Sequence, residues 1–370
     1  MEFSGAALIK QFRAVCQRTL FPFPEEELGP LSEACQLLAS AFSLLQLEGM
    51  EDRRSGGRGR PRADRLAILR AFLAKSALNP CTTRQLLDRL QTDATLRRLC
   101  GWERRSQVPS EAVFSRAFAE MAESGELEQV QKELVAKVYQ DHLVGHVIRD
   151  ATAIEAREKA ARKSPPAPEA KPKRRRGRPR KGEVRPPAAK TRLERQPEMS
   201  LEAMLEDLPR VCDRGVKMGT NGLKYRWVGY KLHWDASDSE VPLSCVLTSA
   251  SLHDSQVAIP LATMTSQRVT ACYELMDAGY HSERIQAHSE GLGHVVLIPD
   301  VERQGKEAMP MEPARQQRYR LRSLIERLTG RLKDEFGGQH IRVRGHRKVF
   351  AHLMLGIPML AVDQLLRLVK

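Results

Sequence analysis

The sequence predicts an α/β protein in which an α-helical N-terminal region precedes a core built on a mixed sheet. Two patterns support this prediction. Apolar residues recur at helical spacing through most of residues 1–145, and alternating runs typical of strands begin at residue 146. The length of 370 residues agrees with two domains of roughly 100–200 residues each. We therefore place the first domain at 1–145 and the second at 146–370.

The N-terminal domain is predicted to consist of short helices separated by tight turns. Thr82 or Thr83 can cap one helix and Ser110 another, because their hydroxyls accept bonds from free backbone amides of the first turn. Apolar spacing places two helices at 6–20 and 31–45 and another from residue 63 onward. The helix capped by Thr82 or Thr83 extends to residue 90, a further helix lies at 93–99, and the helix capped by Ser110 extends to residue 121. Short capped helices of this kind are typical of a helix-turn-helix-like DNA-binding region.

The second domain is predicted to alternate between strands and helices after three consecutive strands. The strands fall at 146–154, 225–234, 243–249, 269–276 and 294–298. Helices fall at 257–264, at 282–288 and from about residue 314 onward. Three sequential strands followed by βαβ crossovers suit an α/β layer fold of the ribonuclease-H-like kind.

A strongly basic segment at 159–195 interrupts this second domain. It contains 15 Lys or Arg and 3 Glu, so it carries +12 of the net charge of +14. Its seven prolines and lack of aromatic residues predict a disordered insertion, because it cannot bury enough apolar surface to offset the entropy of ordering. A segment with this charge is expected to bind DNA phosphates.

The centre of this insertion resembles an AT-hook, a short extended motif whose arginines lie in the minor groove of A·T-rich DNA. A weaker copy lies at 57–62. The alternative is a solvated run of charge that binds any polyanion. The residues of the first copy are Arg176, Gly177, Arg178, Pro179 and Arg180.

Three carboxylates form a candidate metal site. Asp150 lies within the strand at 146–154, where a carboxylate is costly unless it is paired or binds a metal. Asp277 follows the strand at 269–276, and ligands of open α/β sheets bind beyond the carboxyl ends of strands. If these strands are neighbours, Glu326 can join both aspartates from a later helix. Three carboxylates suit Mg²⁺ or Mn²⁺, and two such ions about 4 Å apart can promote phosphodiester displacement.

Two alternatives stay open for these residues. Asp254 could replace Asp277 as the second ligand, although Asp277 is favoured because it ends a strand. On a helix over 319–336, Tyr319, Arg322, Glu326 and Lys333 fall within about 60° of arc beside an apolar face. This stripe is either a solvated charged face or part of the site, where Arg322 and Lys333 would bind phosphates.

The spacing of Tyr319, Arg322, Glu326 and Lys333 resembles the YREK pattern of bacterial insertion-sequence DDE transposases. Other segments resemble the aspartate strands and later blocks of that family, and one is similar to the helical DNA-binding region that precedes the core. The core segments are 150–158, 212–215, 227–233, 247–255 and 277–280, and the helical region is 66–118.

This resemblance implies a transposase that binds terminal inverted repeats, cuts a strand at each end and joins the freed 3′-hydroxyl to target DNA. It implies Asp150, Asp277 and Glu326 as catalytic metal ligands for Mg²⁺ or Mn²⁺. It also implies Tyr319, Arg322 and Lys333 as contacts to DNA near the cleaved bond. Bringing two element ends together implies a homodimer on double-stranded DNA.

Two other functions remain open from the sequence: a DNA-binding transposase relic without turnover, and a metal-dependent nuclease that cuts without joining. The seven cysteines form no CxxC pair, which indicates reduced thiols in the cytoplasm, where the protein would associate with the bacterial nucleoid. No secretion signal or membrane span is expected. The longest apolar run, at 353–362, is interrupted by Gly356 and Pro358 and is far shorter than the roughly 20 residues required.

Overall fold

The computed structural model describes residues 31–45, 47, 63–162, 190–218, 222–300 and 307–369. The predicted helix at 6–20 and both AT-hook-like copies lie outside these residues. The N-terminal helices are α1 (Glu33–Leu44), α2 (Arg65–Leu78), α3 (Thr83–Thr92), α4 (Ala94–Cys100), α5 (Glu111–Ser124) and α6 (Glu126–Tyr139).

Polar caps begin several of these helices at or near the predicted places. The hydroxyl of Thr82 accepts a bond from the backbone amide of Gln85, whose side chain bonds back to the backbone of Thr82. The carboxylate of Asp93 accepts a bond from the backbone amide of Leu96 at the start of α4. Ser110 immediately precedes α5, but its hydroxyl does not make the predicted capping bond. Helix α6 was not predicted, although its buried apolar residues recur at helical spacing.

The sheet has six strands and mixed direction, as predicted for a ribonuclease-H-like core. Its strands are β1 (Leu143–Glu155), β2 (Asp213–Met218), β3 (Lys224–Ser237), β4 (Pro242–Ser249), β5 (Thr270–Leu275) and β6 (Val295–Leu297). The order is β2-β3-β1-β5-β6, and β4 also pairs with β3. Strands β1 to β4 pair antiparallel, whereas β1 with β5 and β5 with β6 pair parallel. Strand β2 was not predicted, because only two of its six residues, Val216 and Met218, are apolar.

Helices cover both faces of this sheet. Adjacent strand residues belong to different apolar clusters: Leu275 packs in the main core, whereas Met276 packs with α9 and α10. This division follows from the two-residue period of a strand. The remaining helices are α7 (Arg192–Arg195), α8 (Leu201–Glu206), α9 (Ser255–Ser266), α10 (Glu283–Gly291), α11 (Pro313–Tyr319), α12 (Leu324–Asp334) and α13 (His346–Val369).

The carboxyl end of the predicted disordered insertion is ordered, so the boundary at residue 195 was placed too late. Helix α7 occupies residues that the prediction assigned to the insertion. Arg192 and Arg195 both bind the carboxylate of Asp207, at 2.7 and 3.0 Å. These ion pairs attach the segment to the residues that follow α8, so the charges of these two arginines are used within the fold. Residues 163–189 lie outside the described part of the chain.

Helix α13 joins the N-terminal helices to the sheet. It packs against α1, α2, α5 and α6 and also against β4, so one apolar core extends across the predicted domain boundary. Gly356 allows its close approach to the end of α12, since a Cβ there would lie 2.3 Å from the carbonyl oxygen of Phe336. Gly356 and Pro358, which interrupt the apolar run of the sequence, both lie inside this helix.

Helix α13 is also the one helix of the described ranges that is long and apolar enough to cross a bilayer. However, 78 % of its most apolar stretch is buried inside the protein. This burial is typical of the core helix of a globular fold.

A buried arginine connects three strands on the face opposite Asp150. Arg149 forms a two-pronged bond to Asp235 of β3, at 2.8 and 2.7 Å, and a third bond of 3.2 Å to Glu274 of β5. All three side chains are at most 1 % exposed. Burial would raise the pKa of Glu274, but Arg149, His294 and Ser289 outweigh this effect and lower its pKa to about 2.

Replacing Arg149 should destabilise the fold strongly. Arg149→Met leaves two buried carboxylates without their shared cation, which typically costs about 3–5 kcal/mol. Urea unfolding measures this loss. As a control, Arg327→Met removes an exposed arginine from its ion pair with Glu240 and should cost at most about 1 kcal/mol. Equal losses in the two variants would contradict the role of Arg149.

Candidate active site

The two predicted aspartates lie close together where β5 ends beside β1. Asp150 lies in β1, and Asp277 directly follows β5, which is the parallel neighbour of β1. The carboxylate of Asp277 accepts a bond of 2.9 Å from the backbone amide of Gly279, which holds the turn after the strand. The two strands are neighbours, which is the condition under which the sequence places the two aspartates together.

A single guanidinium group holds all three carboxylates of the candidate site together. Arg322 lies 3.6 Å from Asp150, 3.8 Å from Asp277 and 3.1 Å from Glu326. The side chain of Asp150 is 16 % exposed, that of Asp277 is half-buried, and that of Glu326 is exposed. The site is thus open to solvent on the side of the helix and closed on the side of the sheet.

The electrostatics of this cluster favour a bound cation. Burial raises the pKa of Asp150, and the positive charge of Arg322 is the main effect that opposes this rise. The carboxylates in turn raise the pKa of Arg322 in spite of its partial burial. Three carboxylates and one guanidinium leave an excess of negative charge at the site when all are ionised. This excess attracts a further cation.

The donor set fits a divalent metal ion, because three carboxylates are the hard oxygen ligands that Mg²⁺ and Mn²⁺ prefer. Within the residues that the structure describes, no group of three His, Cys, Asp or Glu is arranged to hold a metal. At this site the guanidinium of Arg322 lies among the three carboxylates. Arg322 acts as their counter-ion in this arrangement.

The predicted stripe is brought to the site by a broken helix rather than by one continuous helix. Helix α11 ends at Tyr319, a 3₁₀ turn spans Arg320–Ser323, and α12 starts at Leu324. A 3₁₀ turn has three residues per turn, so it rotates Arg322 relative to its place on the continuous helix that the sequence predicts. Arg322 and Glu326 nevertheless bond across one turn.

Tyr319 lies close to this centre, whereas Lys333 lies further along α12. Burial raises the pKa of Tyr319, Arg322 opposes the rise and the three carboxylates add to it, so the hydroxyl is within electrostatic reach of all four groups. Lys333 is about 10 Å further along α12 than Glu326. Its pKa is lowered by burial and by the neighbouring Lys217.

Asp254, the alternative second ligand, is engaged elsewhere. Its carboxylate accepts a bond of 2.6 Å from Lys231, whose ammonium group also bonds to the carbonyl of Leu252. The geometry therefore favours Asp277, which contacts Arg322, over Asp254.

Two groups of residues next to the site were not predicted. The partners Asp235 and Glu274 of Arg149 could have been noticed, because each is a carboxylate between apolar neighbours in a strand. Lys217 could not have been found in this way, because β2 has no regular pattern. The AT-hook-like residues 176–180 lie outside the described ranges, so their placement stays a prediction.

Two family models match the chain in succession. A model described as a transposase DDE domain matches residues 205–361, and the DUF772 transposase domain matches residues 24–120. Asp277 and Glu326 lie within the first match, whereas Asp150 lies between the two. Comparison with curated proteins gives no match, and comparison with solved structures gives none either.

These matches confirm the resemblance to insertion-sequence DDE transposases that the motifs indicated. A DDE domain implies a ribonuclease-H-like fold, in agreement with the mixed sheet. The assignment of Tyr319, Arg322, Glu326 and Lys333 to a YREK motif, and of Asp150, Asp277 and Glu326 as ligands, stays a prediction.

Removing the counter-ion should strengthen metal binding in the absence of DNA. Arg322→Gln leaves the three carboxylates without a competing cation, and we expect Mn²⁺ affinity to rise by about one order of magnitude. Isothermal titration calorimetry measures the affinity. Arg320→Gln, in the same 3₁₀ turn, is the control and should leave it unchanged. Unchanged Mn²⁺ affinity in Arg322→Gln would show that the guanidinium does not compete with metal.

Proposed function

Since the chain belongs to the insertion-sequence DDE transposases, we propose that it binds the terminal inverted repeats of its element, cuts DNA there and joins the ends to target DNA. The observation that carries this proposal is the convergence of Asp150, Asp277 and Glu326 on Arg322. These carboxylates come from distant parts of the chain and meet at the edge of the sheet where ligands of α/β folds bind.

The chemistry requires divalent metal ions, which this family generally uses. Two Mg²⁺ or Mn²⁺ ions, held by Asp150, Asp277 and Glu326, would supply Lewis-acid activation of the attacking oxygen and stabilisation of the leaving oxygen. Asp150 must be ionised to serve as a ligand, and its raised pKa makes loading less favourable as the pH falls.

Arg322, Tyr319 and Lys333 would bind DNA beside the metals. Arg322 exchanges its carboxylate partners for a phosphate, to which a guanidinium donates paired hydrogen bonds. The hydroxyl of Tyr319 donates to a phosphate oxygen on the same side, and Lys333 contacts the duplex about two turns of α12 away. Together they orient the scissile bond against the carboxylates.

The N-terminal helices would hold the terminal repeat, and the basic insertion would hold flanking or target DNA. A homodimer on DNA would bring the two ends together, because joining requires both. The working location would be the bacterial cytoplasm, in association with the nucleoid.

Alanine at Asp277 should abolish cutting and joining while DNA binding is kept. Labelled duplexes that carry the terminal repeats flanking the gene are incubated with Mg²⁺, and products are resolved on gels. We expect the unaltered protein to yield both cleaved and joined strands, and Asp277→Ala to yield at least about 10²-fold less. Asp254→Ala is the matched control and should retain turnover, because Asp254 binds Lys231.

Other outcomes distinguish the alternatives. If the unaltered protein binds the repeats but cuts none, it is a DNA-binding protein without turnover. Cutting without joined products indicates a nuclease. Cutting that survives Asp277→Ala but is lost in Asp254→Ala would transfer the role of second ligand to Asp254.

Deleting residues 164–189 should weaken DNA binding and flatten its dependence on salt. The deletion removes most of the basic insertion but keeps Arg192 and Arg195 with Asp207, so the core stays intact. Each phosphate that the protein no longer binds reduces the slope of log affinity against log salt by about 0.9. Anisotropy of labelled DNA across a salt series measures this slope. An unchanged slope would exclude a role of the insertion in DNA binding.

A further inference from the structure

Strand β2 and the first half of β3 form a hairpin at the edge of the sheet. Residues 213–218 pair antiparallel with 224–229, and β2 is the outer strand of the order. The base of the hairpin is packed firmly. Gly215 lies under the ring of Trp227, where a Cβ would come within 2.3 Å of the ring, and the ring of Tyr225 stacks on the same indole. We call the paired strands of this hairpin, residues 213–218 and 224–229, the arm. The packing around Trp227 holds the base of the arm in place.

This arm lies next to the candidate active site. The hydroxyl of Tyr225 bonds to Glu155, at the end of the strand that carries Asp150. The charge of Lys217 acts on both Asp150 and Lys333, so Lys217 lies near both residues. The arm is therefore close enough to contact DNA that is bound at the carboxylates.

The arm has cations on both faces. Directly paired residues share a face, so Lys217 lies with Tyr225 on one side, and Lys224 and Arg226 lie with Met218 and Val216 on the other. The sequence from 214 to 226 contains no Asp or Glu.

The arm also exposes apolar side chains. Val216 is 56 % exposed, Met218 is 58 % exposed and Leu223 is 69 % exposed. Exposed apolar residues that alternate with cations fit a DNA groove, where they contact base edges and sugars while the cations bind phosphates.

We propose that this hairpin is a DNA-binding arm that enters a groove of the duplex beside the bond that is cut. A two-stranded β-ribbon fits the major groove, and cations on both faces bind the phosphates on its two sides. This inference rests on the proposed function. It adds a contact that is independent of the N-terminal helices and the basic insertion, and it determines how the duplex approaches the carboxylates.

The first test removes one cation from each face. In Lys217→Gln/Lys224→Gln, affinity for a 40-bp duplex carrying the terminal repeat should fall about tenfold, and the salt slope should fall by about 2. The control Arg284→Gln/Arg367→Gln removes the same charge from arginines that are 52 % and 57 % exposed on other elements. It should retain the affinity and slope of the unaltered protein. Equal behaviour of the two double variants would overturn the proposal.

The second test locates the contact. Benzoylphenylalanine at Met218 should cross-link, on illumination, to nucleotides within a few positions of the predicted cleavage site. The same residue at Leu143, 43 % exposed at the opposite end of β1, should give no such cross-link. Cross-links from Met218 only to a second protein chain, or to no strand of bound DNA, would overturn the proposal. Both tests need only DNA binding, so they remain decisive if the protein binds the repeats but does not cut them.

Discussion

The buried bond of Arg149 to Asp235 and Glu274 is the constraint on which the site depends. It connects the central strand β1 to an antiparallel neighbour on one side and a parallel neighbour on the other. Asp150 is the next residue along β1, so its position on the opposite face is set by the same strand. Asp277 follows β5 three residues after Glu274. A network beneath the sheet thus holds both aspartates above it.

In the site, one cation offsets the repulsion between three negative charges. Three carboxylates near one another repel, and burial makes the ionised form of Asp150 still less favourable. Arg322 relieves this repulsion in the protein without DNA or metal. The same guanidinium is suited to phosphate, so arriving DNA can draw it away from the carboxylates and leave them to a metal. The arrangement would couple metal loading to the presence of substrate.

The continuous core has a consequence for how DNA is presented. Helix α13 packs on both the N-terminal helices and the sheet, so the helical region and the catalytic edge share one apolar core. A terminal repeat held by the helices would therefore reach the carboxylates in a defined orientation. The β2–β3 arm and the basic insertion would then contact DNA that the N-terminal helices already hold in this orientation.

The elements that depend on local pattern could be predicted from the sequence. Alternation identified most strands, the cap at Thr82 marked the start of a helix, and a carboxylate in the apolar strand pointed to Asp150. Local pattern did not reveal β2, which has only two apolar residues, or the break in the helix that carries Arg322. Three features follow only from the tertiary structure: β1 lies beside β5, Arg149 contacts two carboxylates, and Arg322 lies among three carboxylates. These contacts join residues more than 80 positions apart in most cases, and such pairings follow from the packing of the whole chain rather than from neighbouring residues.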